Sequence, residues 1–149
     1  MPIVKKLSPI DRYDRFIKAL RIQGIRLVKA NLHANVASPN PSNTDLKIAF
    51  IIDEKLPVQK NGFEVICTLQ VSFTAKEDGA DLGRIDVEFA IRYDSTAKLD
   101  QESFELFVAN NVPLNAWPYL REFVQSSMNR MGWPTFVLPS FKMIPNRKK

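Results

Sequence analysis

The chain has 149 residues, 45% of them apolar and 25% charged, and a formal net charge of +5. That length suits one domain spanning 1–149 and lets folding bury about two-thirds of the unfolded surface, enough for a core without disulfides. A single cysteine, Cys67, excludes an internal disulfide framework and any multi-cysteine metal site, and no apolar run approaches the ~18 residues a membrane-crossing helix needs.

Ser8-Pro9 reads as a helix start, with Ser as N-cap, Pro at the first helical position, and Asp11 and Asp14 near the positive end of the dipole. Ile10, Tyr13, Phe16, Ile17 and Leu20 then recur at helical spacing, which predicts an amphipathic N-terminal helix over 9–20. From Ile22 to Asn35 the period shortens toward two, with Val28, Ala30, Leu32 and Ala34 on one side. This is a first strand with an irregularity near Gly24. Two prolines and four Ser/Asn turn formers make Ser38–Asn43 a loop.

Three alternating segments follow within a sheet region spanning 22–94. Leu46, Ile48, Phe50 and Ile52 share one side of the second strand. After the Asn61-Gly62 turn, Phe63, Val65, Cys67, Leu69, Val71 and Phe73 oppose Glu64, Ile66, Thr68, Gln70, Ser72 and Thr74. After Glu77-Asp78-Gly79, Ile85, Val87, Phe89, Ile91 and Tyr93 oppose Arg84, Asp86, Glu88, Ala90 and Arg92. Short turns between alternating strands predict an antiparallel meander with one buried and one wetter face.

The last third is helical over 101–131. Asp100 is placed to cap a helix from Gln101 to about Asn110, and Asn115 a second with Pro118 in its first turn. Trp117, Leu120, Val124, Met128 and Met131 form one apolar stripe of that second helix; Ala116, Tyr119 and Phe123 form another. Gly132 and Pro134 stop it. The remainder, 133–149, is apolar and then basic: Trp133, Phe136, Leu138 and Phe141 form a flexible apolar flap, ahead of Asn146-Arg147-Lys148-Lys149.

Chemistry-bearing groups are scarce. The only histidine, His33, lies on the polar side of the first strand, and Cys67 belongs to an apolar set, so no nucleophile, base and orienter assemble. A zinc site lacks ligands, the five glycines form no phosphate cradle, and Glu77-Asp78…Asp81 fits a polar hairpin rather than a calcium loop. Asp86 and Glu88 share a strand face with Arg84, a pattern for ion pairing. No enzyme, cofactor or metal is expected. Apolar surface, by contrast, is over-supplied. The helix 101–110, carrying Phe104, Leu106, Phe107 and Val108, is apolar nearly all round, so a second copy or a bound partner should cover part of it.

The segment Pro118-Tyr119-Leu120-Arg121-Glu122, followed by Asn129-Arg130-Met131-Gly132-Trp133-Pro134 and Leu138-Pro139, resembles the SecB family of export chaperones. That family's long helix carries a similar Pro-Tyr-x-Arg-Glu, then Arg-Gly-x-Phe-Pro and an apolar, proline-containing tail. The element order from about residue 22 to 143 is also the family's. The resemblance implies an α+β fold with a four-stranded antiparallel sheet and C-terminal helices packed on one face, here with an extra N-terminal helix. It implies an ATP-independent cytoplasmic chaperone, a homotetramer built as a dimer of dimers, whose partners are non-native polypeptide clients held in apolar grooves. The groove residues would be Ile48, Phe50, Ile52, Trp117, Leu120, Val124, Trp133, Phe136, Leu138 and Phe141. Contacts between copies would use Phe104, Phe107, Val108, Tyr119 and Phe123.

Three features set the chain apart from the acidic export members. Lys29 and His33 stand on the first strand where those members are acidic, an N-terminal helix replaces a short start, and the end is basic. Docking on the export motor ATPase is therefore not expected, and a dedicated client such as an antitoxin in a toxin–antitoxin system fits better than general protein export. Two other readings stay open: a structural or adaptor oligomer without chaperone activity, and a nucleic-acid-binding module using the basic ends. The excess positive charge is split, with net +6 over residues 1–33, −6 over 34–128 and +5 over 129–149. Solvated ends are thereby favoured over a nucleic-acid surface. The opening Met-Pro-Ile-Val-Lys-Lys has no apolar core or cleavage site, so no secretory signal is expected.

Overall fold

The computed structural model describes residues 6–59 and 61–139. The first helix, α1 (Pro9–Ala19), starts where Ser8 Oγ accepts a hydrogen bond from the Asp11 amide at 3.2 Å. It leads directly into β1 (Leu20–Ala34), followed by a short 3₁₀ turn (Pro41–Asn43), β2 (Thr44–Gln59), β3 (Gly62–Ala75) and β4 (Asp81–Ser95). Two helices complete the order, α2 (Gln101–Asn110) and α3 (Val112–Arg130).

All four strands form one antiparallel sheet, in the order β1-β4-β3-β2. The expected meander covers β2, β3 and β4; β1 joins beside β4 instead of β2. The reason lies in the connection. Residues 35–43, with Pro39 and Pro41, make no tight hairpin but cross one end of the sheet, giving a Greek-key arrangement that leaves β1 and β2 as the two edges.

The alternation read from the sequence sets the two faces. Phe63, Val65, Cys67, Leu69, Val71 and Phe73 of β3 and Ile85, Val87, Ile91 and Tyr93 of β4 are fully buried on the helix side. Phe63 is met edge-on by Phe104 and Phe107 of α2, with ring centroids 4.8 and 6.2 Å apart, and Phe107 is met in turn by Phe16 of α1. So α1 packs outside α2, tied to it by the Arg12–Glu102 ion pair at 3.0 Å and by Tyr13 Oη donating to Asn111 Oδ1. The opposite face carries no helix and is mostly polar, with Ile66 and Ala90 buried opposite each other among its charged side chains.

Asp100 caps α2 as expected, its Oδ2 accepting from the Ser103 amide at 3.1 Å. The start of α3 differs: the helix begins at Val112, with Pro113 in its first turn, and Pro118 lies inside it. Asn115 is therefore a helical residue rather than a cap, and its Nδ2 donates to the buried Tyr93 hydroxyl at 2.9 Å.

Candidate functional site

The expected groove residues line a trough between β2, β3 and α3, into which the chain after α3 folds. Gly132, with φ of 70°, turns the chain left-handed, which lets the Gly132 amide reach the Asn129 carbonyl at 3.1 Å and the Trp133 amide the Met128 carbonyl at 3.0 Å. These two bonds form a Schellman stop and aim the chain back over the sheet.

Trp133 then anchors the segment. Its ring meets Phe73 edge-on at 5.1 Å, and its Nε1 donates to the Val36 carbonyl at 3.2 Å, tying the tail to the loop after β1. Beyond it, burial alternates: Phe136 and Leu138 point inward and are buried, while Thr135, Val137 and Pro139 are exposed. Phe136 packs on Phe73 at 5.5 Å. The Pro139 carbonyl accepts from Nε1 of Trp117 at 3.1 Å, and the Trp117 ring stands edge-on to Phe50 of β2 at 6.1 Å. Phe73 faces Leu46 across the β2–β3 ladder and Leu69 faces Phe50, so the segment runs alongside β2 in the same direction. Among the described residues, 134–139 makes no backbone–backbone hydrogen bond.

The structure thus brings together nearly all of the expected groove residues, and it closes the groove over them. Trp117, Leu120, Val124, Trp133, Phe136 and Leu138 are buried, and Ile48, Phe50 and Ile52 are half-buried. Phe141 lies outside the described residues. Residues 133–139 have no regular secondary structure, and the helix stop and the two indole bonds set their course along the trough.

β2 itself is an edge strand. Its ladder to β3 runs without a shift from Thr44 to Lys55, and no further strand pairs with its outer side among the described residues. β1, the opposite edge, is different: register shifts between Ile22 and Gly24 and between Leu27 and Lys29 mark two bulges. These change which residues share a face. Ile22, Ile25, Leu27, Ala30 and Leu32 lie on the helix side, and Val28 is left in a bulge. Because the helices stop short of β1, Ile22, Leu27 and Leu32 remain 48%, 49% and 39% exposed. Alternation in the sequence marked the strand as amphipathic but carried no sign that its apolar side lacked cover.

Of the residues assigned to contacts between copies, Phe104, Phe107 and Val108 are buried against β3, β4 and α1 within the chain. Phe123 is half-buried against Phe89 at 6.1 Å, and Tyr119 is exposed. Leu106 and Leu114 also face outward.

Charges on the open face are matched across strands and, for Arg84 and Asp86, along β4. Arg26 pairs with Glu64 at 3.0 Å, Arg84 with Asp86 at 2.8 Å, and Arg21 and Lys29 stand opposite Asp94 and Glu88. A shallow depression of about 100 Å³ there is lined by Lys29 and Asn31 with Thr68, Gln70, Asp86 and Glu88. His33 stands opposite Arg84, exposed. In the Glu77–Asp81 turn, Asp78 Oδ1 accepts from the Ala80 amide at 3.0 Å and Asp81 Oδ1 from the Gly83 amide at 3.1 Å, the bonds of a polar hairpin. No group of three or more His, Cys, Asp or Glu placed to hold a metal occurs among the described residues. Burial pushes the Cys67 thiol up to about 12, which keeps it protonated and unreactive at neutral pH. No described helix is long and apolar enough to cross a membrane.

No family model and no curated protein matches the sequence. Among solved structures, the fold matches the SecB-like chaperone of Mycobacterium tuberculosis, solved in complex with a ChAD peptide from the HigA1 antitoxin. The two share 22% identity at a TM-score of 0.72, over 89% of this chain and 99% of that one. A protein of Streptococcus agalactiae gives a weaker likeness, at 10% identity and a TM-score of 0.46, over 81% of this chain and 97% of that one. The SecB-like architecture expected from the sequence is therefore the fold of the chain.

Proposed function

We propose that the protein is an ATP-independent chaperone that holds extended, non-native polypeptide segments, with an antitoxin as its dedicated client. The observation that carries this reading is the trough beside β2, in which the chain already holds an extended apolar segment of its own. An extended client has two kinds of purchase there. The unpaired outer edge of β2 offers main-chain hydrogen bonds, and Ile48, Phe50, Ile52 and Trp117 offer apolar contact for alternate side chains. Neither needs nucleotide hydrolysis. The fold shared with a chaperone that binds an antitoxin peptide supports the choice of client.

In this reading the protein works as a homo-oligomer, a dimer of dimers. The uncovered stripe Ile22, Leu27 and Leu32 on β1 and the outward Tyr119 and Leu114 of α3 are the surfaces a second copy would cover. Nucleic-acid binding is disfavoured by the open face, where the arginines and Lys29 stand against carboxylates instead of forming a basic stripe.

The test is aggregation of a thermally unfolded model protein, followed by light scattering without nucleotide. Stoichiometric suppression is expected, unchanged by added ATP and little weakened by salt. Unimpeded aggregation at a several-fold excess of this protein would refute the reading.

A further inference from the structure

The segment Thr135–Pro139 occupies the trough in a way that differs from the rest of the core. Helices and strands are fixed by their ladders. This segment is held by two inward side chains, Phe136 and Leu138, and by side-chain bonds at its two ends, from Thr135 Oγ1 to Asn129 Oδ1 at 3.4 Å and from Trp117 Nε1 to the Pro139 carbonyl. Its alternation, with buried Phe136 and Leu138 flanked by exposed Thr135, Val137 and Pro139, is the pattern of an extended peptide laid on a surface. Val137 is apolar yet 74% exposed, so the outward side is not packed against the described chain. Just before it, Trp133 is fixed on both sides: its Nε1 bonds Val36, and its ring fills the space that the absent side chain of Gly83 leaves.

We infer that Thr135–Pro139 is a built-in occupant of the client groove, which a client displaces, with Trp133 as the fixed pivot. The occupant also defines what it gives way to: an extended peptide with an aromatic residue, an aliphatic residue two positions on, and a free carbonyl one residue further for Trp117. The wall is apolar, made by Phe73, Phe50 and Ile48, so charged residues at the two inward positions are rejected. Occupancy by the chain itself keeps that wall covered when no client is present, and a client binds in proportion to the fraction of molecules whose tail has left.

This inference rests on the chaperone reading, and the experiment separates the two. The full-length protein is titrated with a permanently unfolded reporter, reduced and carboxymethylated α-lactalbumin. Leu138→Ser, which loosens the tail, is expected to tighten reporter binding several-fold, toward roughly tenfold. Val137→Ser, on the exposed side, should leave it unchanged. A free peptide with the sequence of residues 133–139 should compete with the reporter, and the same peptide carrying Phe136→Ser and Leu138→Ser should not. If Leu138→Ser does not fold, Phe136→Leu and the peptide competition decide. A spin label on Val137→Cys, a position that reacts while buried Cys67 does not, should gain mobility when reporter binds. If wild-type protein binds no reporter, the chaperone reading fails and this inference with it. If reporter binds while the label stays immobile and the tail variants bind no tighter, the inference is overturned and the chaperone reading stands.

Discussion

A Cβ built on Gly83 would lie 2.6 Å from Cη2 of Trp133 and 2.5 Å from the His33 carbonyl. Gly83 also has φ of 154°, a region that side-chain-bearing residues rarely enter. One position thus lets β4 pass beside β1 while the tail's first ring lies over both. Gly83→Ala is expected to lose about 2–4 kcal/mol of stability, from backbone strain plus overpacking. Chemical denaturation measures it, and a loss below about 0.5 kcal/mol would mean that Trp133 moves aside freely.

Alkaline pH should destabilise the fold through two groups. Burial holds the Cys67 thiol up at about 12, against 9.0 for a free group. It holds the Tyr93 hydroxyl up at about 12, against 10.0, even though the Asn115 amide pulls it down. Both folded values are raised, so the folded chain keeps protons that the unfolded chain releases. The stabilisation is complete below about pH 9 and is lost as pH climbs toward 12, by up to ~1.4 kcal/mol per pH unit for each group. Cys67→Ala should flatten the stability curve between pH 9 and 10, where Tyr93 contributes little. Parallel curves for variant and wild type would remove Cys67 as the cause.

Much of this fold was legible because the strands alternate cleanly. Phe63 to Phe73 and Ile85 to Tyr93 announce both their strands and their buried side. Ser8 and Asp100 announce two helix starts through side-chain bonds made within three residues. What could not be read depends on contacts distant in sequence. Asn115 looks like a cap by type, but its amide is used by Tyr93, 22 positions away. Likewise, nothing local tells that Trp133 and Trp117 would pin the tail by their indoles, or that β1 would stand beyond the helices. The groove residues were identifiable as apolar, and so was the segment after Gly132, whose composition asks for a place over Ile48, Phe50, Ile52, Trp117, Leu120 and Val124; the indole bonds that hold it there were not.

Light scattering at micromolar concentration should give a mass of at least two chains. The covering of Ile22, Leu27 and Leu32 drives this expectation, since an edge strand with an apolar side in water is otherwise a site for uncontrolled pairing. Leu27→Asp should lower the mass, because it places a charge in the middle of that stripe. A stable wild-type monomer would overturn the oligomeric part of the proposal.

No association with the export motor ATPase is expected in calorimetry at physiological salt. The first strand presents Arg26 and Lys29 with His33 on the open face; Glu64 of β3 pairs with Arg26, and Glu88 of β4 stands opposite Lys29. A partner that steers toward an acidic strand meets a matched, near-neutral surface here, and charge complementarity governs encounter and partner choice. Submicromolar binding would show that docking does not depend on this face.

The tail should unfold locally, and its energetics should reveal it. In a fixed core, Phe136→Ala would cost ~3–5 kcal/mol and Leu138→Ala ~2–5 kcal/mol. A segment that can leave as a unit behaves otherwise. Once the loss reaches the free energy of docking, the tail simply detaches, and a second substitution in it costs almost nothing more. Phe136→Ala made in the Leu138→Ala background should therefore add well under half of its effect in the wild type. Trp133→Ala supplies the contrast, since its bond to Val36 and its seat on Gly83 belong to the part that stays. Its cost should be nearly the same in both backgrounds. Denaturant midpoints for the three single and two double variants measure all of these differences. Full additivity of Phe136→Ala with Leu138→Ala would make Thr135–Pro139 an inseparable part of the core.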